Sequence, residues 1–136
     1  MAMPVDQYEE TTAGIRVCVI PQYLDDQSDP RDNHFVWAYE ITITNEGKDT
    51  VQLRDRYWHI TDATGHVEEV AGPGVVGEQP VLNPGDTFSY TSGCPLPTPS
   101  GIMRGHYTMA DERGGSFNVA IPPFSLDLPG ARTIVN

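Results

Sequence analysis

Hydrophobic and polar residues alternate with a period of two along most of this chain, and helical periodicity is almost absent. In residues 35–44, aromatic and aliphatic side chains fill every second position and mostly polar residues fill the others. Such alternation is typical of a β-strand with one face in the protein core. It recurs, with turn residues between the segments, at residues 15–20, 51–60, 67–70, 87–91, 103–109, 117–121 and 124–128. The pattern predicts an all-β fold, a two-sheet antiparallel β-sandwich of seven or eight strands.

The segment at residues 51–60 contains a change of phase. Val51 and Leu53 occupy odd positions, whereas Trp58 and Ile60 occupy even positions. A strand with hydrophobic residues on both faces would also give this pattern. A β-bulge is the simpler explanation, because one extra residue reverses which positions face inward. We therefore expect a bulge at residues 54–56.

The composition agrees with one domain that turns often. The chain has 136 residues, of which 13 are glycine and 12 are proline, without a repeating three-residue period. A chain of this length builds a single hydrophobic core. The predicted division is an acidic N-terminal extension over residues 1–13, the sandwich domain over residues 14–129 and a C-terminal tail over residues 130–136.

The charge balance excludes one class of partner. The chain carries 8 lysines and arginines against 19 aspartates and glutamates, a formal net charge of −11. Sequence-independent nucleic-acid binding needs clustered basic residues, so we expect no nucleic-acid partner. The first twenty residues lack a basic stretch followed by an apolar one. No apolar run approaches the ~18 residues of a spanning helix. These features predict a cytoplasmic protein without membrane insertion.

Two cysteines, Cys18 and Cys94, stand in an order with Trp37 that loosely resembles the disulfide and tryptophan of antibody domains. The tyrosine expected two residues before the second cysteine is replaced by Ser92. The neighbouring glycine and proline also indicate that Cys94 lies in a turn. We therefore expect two free thiols, as is usual in a reducing compartment.

The string from Gly72 to Gly77 matches the G-x-G-x-x-G pattern of dinucleotide-binding folds. That function requires a helix directly after the glycines, and the prolines that follow exclude one. Two interpretations remain. Gly74 or Gly77 takes a positive φ in a structural loop, or the loop amides form a weak anion site.

Arg54, Arg56 and Arg104 could receive an anion or the acidic side chain of a partner, and two of them are assigned to the loop site. The candidate anion site consists of Gly72, Gly74, Gly77, Arg56 and Arg104. The alternative for Arg54, Arg56 and Arg104 is ion pairing with Asp55, Asp111 or Glu112.

Other candidate chemistry is weaker. The acidic loop at residues 25–32 fails the EF-hand pattern, because Pro30 stands where glycine is required and Val36 where glutamate is required. A solvated loop is expected there, with direct divalent-cation binding as the alternative. The four histidines lack the spacing of a shared metal site, although His59 and His106 could meet across strands. We expect no metal, no cofactor and no catalytic residues.

A set of ordered motifs resembles the bacterial ApaG family over nearly the whole chain. The motifs are Arg56-Tyr57-Trp58, residues 74–80, Pro84-Gly85, residues 90–93 and residues 101–109. The resemblance implies a fibronectin-type-III-like or immunoglobulin-like sandwich. The same domain is similar to the C-terminal part of some F-box proteins and of a polymerase-delta-interacting protein, where it serves in protein contacts. The bacterial members are linked by name to cobalt and magnesium resistance.

The resemblance and the absence of a catalytic constellation together predict a stand-alone binding module rather than an enzyme. The expected partner is a protein, and its link to cobalt and magnesium homeostasis is indirect. Phosphate or pyrophosphate binding by the Gly72–Gly77 loop is the first alternative, and cation binding by residues 25–32 is the second.

Overall fold

A computed structural model describes residues 6–129, which form nine strands and two short 3-10 turns. The strands are β1 (Tyr8–Thr12), β2 (Ile15–Tyr23), β3 (Phe35–Asn45), β4 (Val51–Asp62), β5 (Val67–Pro73), β6 (Val81–Leu82), β7 (Thr87–Leu96), β8 (Gly101–Asp111) and β9 (Ser116–Leu126). The strands form two antiparallel sheets. The predicted all-β, two-sheet antiparallel sandwich is confirmed. No helix among residues 6–129 is long and apolar enough to cross a membrane.

The first sheet has the strand order β1-β2-β3-β7, and the second has the order β5-β4-β8-β9 with the short β6 also paired to β4. The core lies between the sheets and is filled by the inward-facing residues of both. Trp58 of β4 contacts Tyr39 of β3 and Phe124 of β9, with ring centroids 5.2 and 5.9 Å away. Aromatic rings in edge-on contact thus join the two sheets.

The phase change in β4 is a bulge, as predicted. Leu53 pairs with Met109 and Asp55 pairs with Thr108, so Arg54 is the extra residue on β4. Beyond the bulge the even positions face the core, and Trp58 and Ile60 are buried there. The bulge also directs Arg56 inward, because it pairs with the fully buried Tyr107.

One margin of the sandwich is closed by β1. The predicted N-terminal extension over residues 1–13 differs from the structure here, since Tyr8–Thr12 of that stretch pair with β2. The Thr12 hydroxyl also accepts a hydrogen bond from the Ala120 amide of β9, at 3.3 Å. Part of the acidic stretch is therefore a strand of the first sheet. The predicted tail at residues 130–136 lies outside the described residues.

Cys94 is not in a turn, and that prediction is wrong. It lies within β7, pairs with Trp37 and is buried. The neighbouring Gly93 and Pro95 are tolerated because β7 is the last strand of its sheet, where a proline need not donate to a second partner. Cys18 and Cys94 are both free thiols, as expected. Burial raises the pKa of Cys94 to about 11.

Candidate functional site

The glycine-rich segment folds into a two-residue β-hairpin. The Val75 amide donates to the Glu78 carbonyl at 2.8 Å, and the Glu78 amide donates back to the Val75 carbonyl at 2.9 Å. The two residues between them, Val76 and Gly77, have φ values of 44° and 82°. This is the type I′ geometry that suits the twist of a hairpin. The predicted positive φ of Gly74 or Gly77 is confirmed at both residues.

Val76 is an unusual residue for that turn. Type I′ turns favour asparagine, aspartate or glycine, because positive φ brings Cβ close to the following carbonyl oxygen. A β-branched residue with positive φ is a backbone outlier, and Val76 is such a residue within the described chain. Its side chain is also 56% exposed, so core packing does not explain its presence. Strained backbone of this kind is frequently found at functional sites.

Strand β4 holds the hairpin in place from its bulge. The Arg54 carbonyl accepts a hydrogen bond from the Gly74 amide and one from the Gln79 side-chain amide, each at 2.8 Å. The Arg56 guanidinium donates through Nη1 to the carbonyls of Pro73 and Gly74, at 3.0 and 2.9 Å. Arg54 at the bulge therefore supplies the acceptor carbonyl, and Arg56 supplies the cationic donor. Together they hold the hairpin against β4.

A cleft of about 240 Å³ opens beside this hairpin. Its walls combine the hairpin tip with inward-facing side chains of both sheets. They are Tyr39, Arg56, Trp58, Val75, Val76, Gly77, Tyr90 and Ser92. Tyr39, Trp58 and Tyr90 are almost completely buried and form the floor of the cleft. The result is a rigid aromatic recess with an exposed valine at its rim.

Tyrosine hydroxyls provide the polar groups of the cleft and the core behind it. The Tyr90 and Tyr107 hydroxyls lie 2.5 Å apart and form a hydrogen bond that joins the two sheets. Tyr39 pairs with Ser92 on the neighbouring strand, and both residues line the cleft. Burial raises the pKa of all three tyrosines, and the positive charge of Arg56 opposes that rise. The hydroxyls are therefore neutral at physiological pH.

The structure brings together only part of the predicted anion site. Arg56 lies against Gly72, and its guanidinium binds the loop. Arg104 lies elsewhere, because it pairs with His59 on the solvent-facing side of the sheet, whereas Arg56 faces inward. The Gly74, Val75 and Glu78 amides already donate to carbonyls, and Pro73 has no N–H. Within residues 6–129, only Val76 and Gly77 retain backbone donors in the hairpin without a partner.

The outer face around Arg104 forms a shallow basin of about 400 Å³. His59 and His106 both line this basin, together with Tyr57 and Glu10, but His59 pairs with Arg104 and His106 pairs with Tyr57. The ring of His106 stacks on that of Tyr57, with centroids 5.1 Å apart. The hydrogen bond from the Tyr57 hydroxyl to Glu69, at 2.7 Å, raises the pKa of Tyr57.

The predicted ion pairs of the arginines do not form. Among residues 6–129, Arg54, Arg56 and Arg104 make no ion pair, and the salt bridges involve Arg16 and Arg113 instead. The alternation of inward-facing and outward-facing side chains along β4 explains why Arg56 forms no ion pair. Its side chain points between the sheets, where the nearest oxygens are backbone carbonyls.

The acidic loop forms two 3-10 turns, at Asp25–Gln27 and Pro30–Asp32. Two backbone hydrogen bonds between Asp29 and His34, at 2.7 and 3.0 Å, enclose the second of these turns. In the part of the chain that the structure describes, no three or more His, Cys, Asp or Glu side chains are grouped as metal ligands.

Sequence reasoning missed Val76 and the tyrosine pair. The Val76-Gly77 dipeptide is not a common type I′ turn sequence, so only the glycine indicated a bend. Tyr90 and Tyr107 were recognisable as inward positions of two strands. Their contact depends on how the two sheets are stacked. The residue pattern of one strand carries no information about that stacking.

The sequence and the fold of this chain are both similar to those of one protein family. The family model described as ApaG domain matches residues 25–111. The chain is 64% identical to the proteins called Protein ApaG of Mesorhizobium japonicum and of Paramagnetospirillum magneticum. Each match covers 95% of this chain and 99% of the relative. A crystal structure of a Bordetella pertussis protein described as ApaA is 49% identical, with a TM-score of 0.82, and covers 93% of this chain and 98% of that one.

Proposed function

The chain belongs to the ApaG domain family, and from this premise we propose that it is a binding module that contacts a partner protein through the tip of the Val75–Glu78 hairpin. The observation that carries the proposal is Val76, a β-branched residue held at φ 44° with 56% of its surface exposed. Asparagine or glycine at this position would lower the strain of the free protein. A valine that neither fits the turn nor fills the core is best explained by a contact outside the chain.

The recess beside the tip supports this function. Protein interfaces are centred on a few aromatic, arginine and aliphatic residues in rigid surroundings. Here Val76 projects at the rim of the recess, and Tyr39, Trp58 and Tyr90 form its floor. Arg56 fixes the hairpin before any partner arrives, so binding orders little additional backbone. A partner side chain could enter the recess while Val76 packs on the partner surface.

This proposal describes binding, not catalysis. The buried tyrosines are neutral at physiological pH, and Arg56 is engaged with carbonyl oxygens. Neither the tyrosines nor Arg56 is positioned as an activated nucleophile beside a base. An effect on cobalt or magnesium homeostasis would then be indirect, through the protein that is bound. The two free thiols support a cytoplasmic location.

Pyrophosphate binding at the hairpin is a second candidate, supported by the proximity of Arg56 to the unpartnered amides of Val76 and Gly77. Glu78 lies in the same turn, and the net charge of −11 repels a polyanion. Titration of pyrophosphate into the wild type, Gly77→Ala and Arg104→Ala tests it. A hairpin site requires that Gly77→Ala weakens binding and that Arg104→Ala, on the opposite face, does not.

Site-specific photo-crosslinking in the native bacterium tests the protein-binding proposal. A photoreactive amino acid replaces Val76 in one strain and Val81 in another, and the matched position is 55% exposed but has an ordinary β-strand backbone. We expect a discrete crosslinked partner from position 76 and none, or only diffuse products, from position 81. The same products from both positions would contradict the proposal.

A further inference from the structure

Three of the four sheet margins are protected against further strand pairing. The β1 and β9 margins face each other, and the Thr12 hydroxyl binds a β9 amide. β5 carries Glu68, Glu69 and a terminal Pro73, which are typical of a protected edge. Charged residues and proline at these positions discourage the addition of another strand.

Strand β7 is different. It is the last strand of its sheet, with β3 as its only partner strand among residues 6–129. Its ten residues, Thr87–Leu96, include no charged side chain, and its single proline is Pro95 near the end. In a chain with 20% charged residues, this is a long edge without the usual protection. Unpaired backbone groups on such an edge can form hydrogen bonds with an added strand.

The surroundings of the edge indicate which strand would fit. Glu40 of β3 is exposed and pairs with Thr91. Asp86 directly precedes β7, and Glu78 belongs to the hairpin that shares the cleft with Tyr90 and Ser92. None of these three carboxylates forms an ion pair within the described residues. An uncharged edge with three carboxylates nearby that form no ion pair favours a basic partner.

We propose that the β7 edge accepts an extended, positively charged peptide segment of the partner protein as an additional strand. The inference rests on the proposed function, since the hairpin tip and the β7 edge border the same cleft. Backbone hydrogen bonds to β7 supply the pairing, and lysine or arginine side chains of the segment reach the carboxylates. A second copy of the chain is the less favoured occupant, because each copy carries a net charge of −11.

The test uses the full chain, labelled with ¹⁵N, and a defined ten-residue probe of alternating threonine and lysine. The probe is titrated to about 1 mM, the range of weak association. We expect chemical-shift changes and slower amide exchange confined to β7 and the hairpin. A probe of the same charge with alternate N-methylated amides, and a threonine-glutamate probe, should both fail to bind.

Two variants with equal net charge separate a local effect from a global one. Glu40→Lys should weaken binding of the threonine-lysine probe by about fivefold, as expected for a nearby exposed charge pair. Glu112→Lys, in the turn between β8 and β9, should leave the affinity unchanged. Equal losses in both variants, or equal binding of the N-methylated probe, would overturn the proposal. So would slow exchange at β7 in a dimer formed without any peptide.

The Val76→Asn variant distinguishes failure of this inference from failure of the proposed function. If the inference alone is wrong, the probe does not protect β7, yet Val76→Asn still loses the cellular partner. If the proposed function is wrong, Val76→Asn keeps its cellular partner. The probe experiment then tests strand addition at β7 independently of the hairpin.

Discussion

Arg56 and Arg104 lie on opposite faces of the second sheet, and their contacts with the rest of the protein differ. On the inner face, Arg56 binds the carbonyls of Pro73 and Gly74 and holds the hairpin against β4. On the outer face, Arg104 makes no hydrogen bond or ion pair with residues 6–129 and borders an open basin. The arginines lie on adjacent strands and differ only in the direction of their side chains. The comparison shows that the bulge at Arg54 turns Arg56 inward and makes it structural, whereas Arg104 on β8 points outward.

The inner face is also the more closely packed of the two. Its backbone approaches closely between β4 and β8, and its hydroxyls form the Tyr90–Tyr107 bridge. The outer face carries side chains that stack on one another but are open to water, as with Tyr57 and His106. We therefore expect substitutions on the inner face to reduce stability and substitutions on the outer face to be tolerated.

The largest effect is expected for Gly105→Ala on the inner face. A Cβ at this position would overlap the Tyr57 carbonyl oxygen of the neighbouring strand. Backbone cannot move aside as a flexible side chain can, so we expect a loss of about 3 kcal/mol or more in the free energy of unfolding. Urea denaturation measures it. Gly77→Ala is the matched control, because its Cβ meets no atom and only its positive φ, 82°, costs about 1 kcal/mol. Equal losses would contradict close packing at Gly105.

The tyrosine bridge should give the next largest effect. Tyr90→Phe leaves the fully buried Tyr107 hydroxyl without its partner, at a cost of about 2 kcal/mol. The double variant Tyr90→Phe/Tyr107→Phe removes both hydroxyls and should recover most of that loss. A double-mutant cycle by urea denaturation measures the coupling. If the losses in unfolding free energy of the two single variants simply add in the double variant, the two hydroxyls do not stabilise each other.

Replacement of Arg56 and of Arg104 by methionine compares the stability contributions of the two faces directly. Arg56→Met removes two hydrogen bonds from a charged donor, and we expect a loss of about 1.5 kcal/mol together with faster exchange of the Val75 and Glu78 amides. Arg104→Met should change stability by less than about 0.5 kcal/mol. Hydrogen exchange provides the readout, since it reports opening of the hairpin separately from global unfolding. Unchanged exchange in Arg56→Met would refute the fastening function of this residue.

The sequence was sufficient for the sandwich because burial alternates residue by residue along β3, and along β4 on each side of its bulge. The phase change between Leu53 and Trp58 even located the bulge. The error at Cys94 arose because glycine and proline are turn signals in most contexts and are tolerated on an edge strand. Strand pairing and edge position are long-range properties, so local residue types did not reveal them.

The site was predicted only in part for a related reason. The glycines indicated a bend, and the structure brings Arg56 next to them. Arg104 was grouped with the same loop, although the pairing of β4 with β8 directs it to the opposite face. The strain at Val76 could not be predicted, because it depends on the two hydrogen bonds between Val75 and Glu78 that close the turn.

Val76→Asn should change stability less than Gly105→Ala, Tyr90→Phe or Arg56→Met, and with the opposite sign. Asparagine suits a type I′ turn, so we expect the variant to be more stable by about 1 kcal/mol. Val81→Asn is the control, with similar exposure but no positive φ, and it should not gain stability.

Thermal unfolding and quantitative partner capture, measured together on Val76→Asn, test the central claim most directly. The account predicts a higher melting temperature with loss of the captured partner, because the valine is retained for a contact that the free protein does not need. Val81→Asn should keep the partner. A variant that is stabilised and still binds its partner as well as the wild type would contradict the claim.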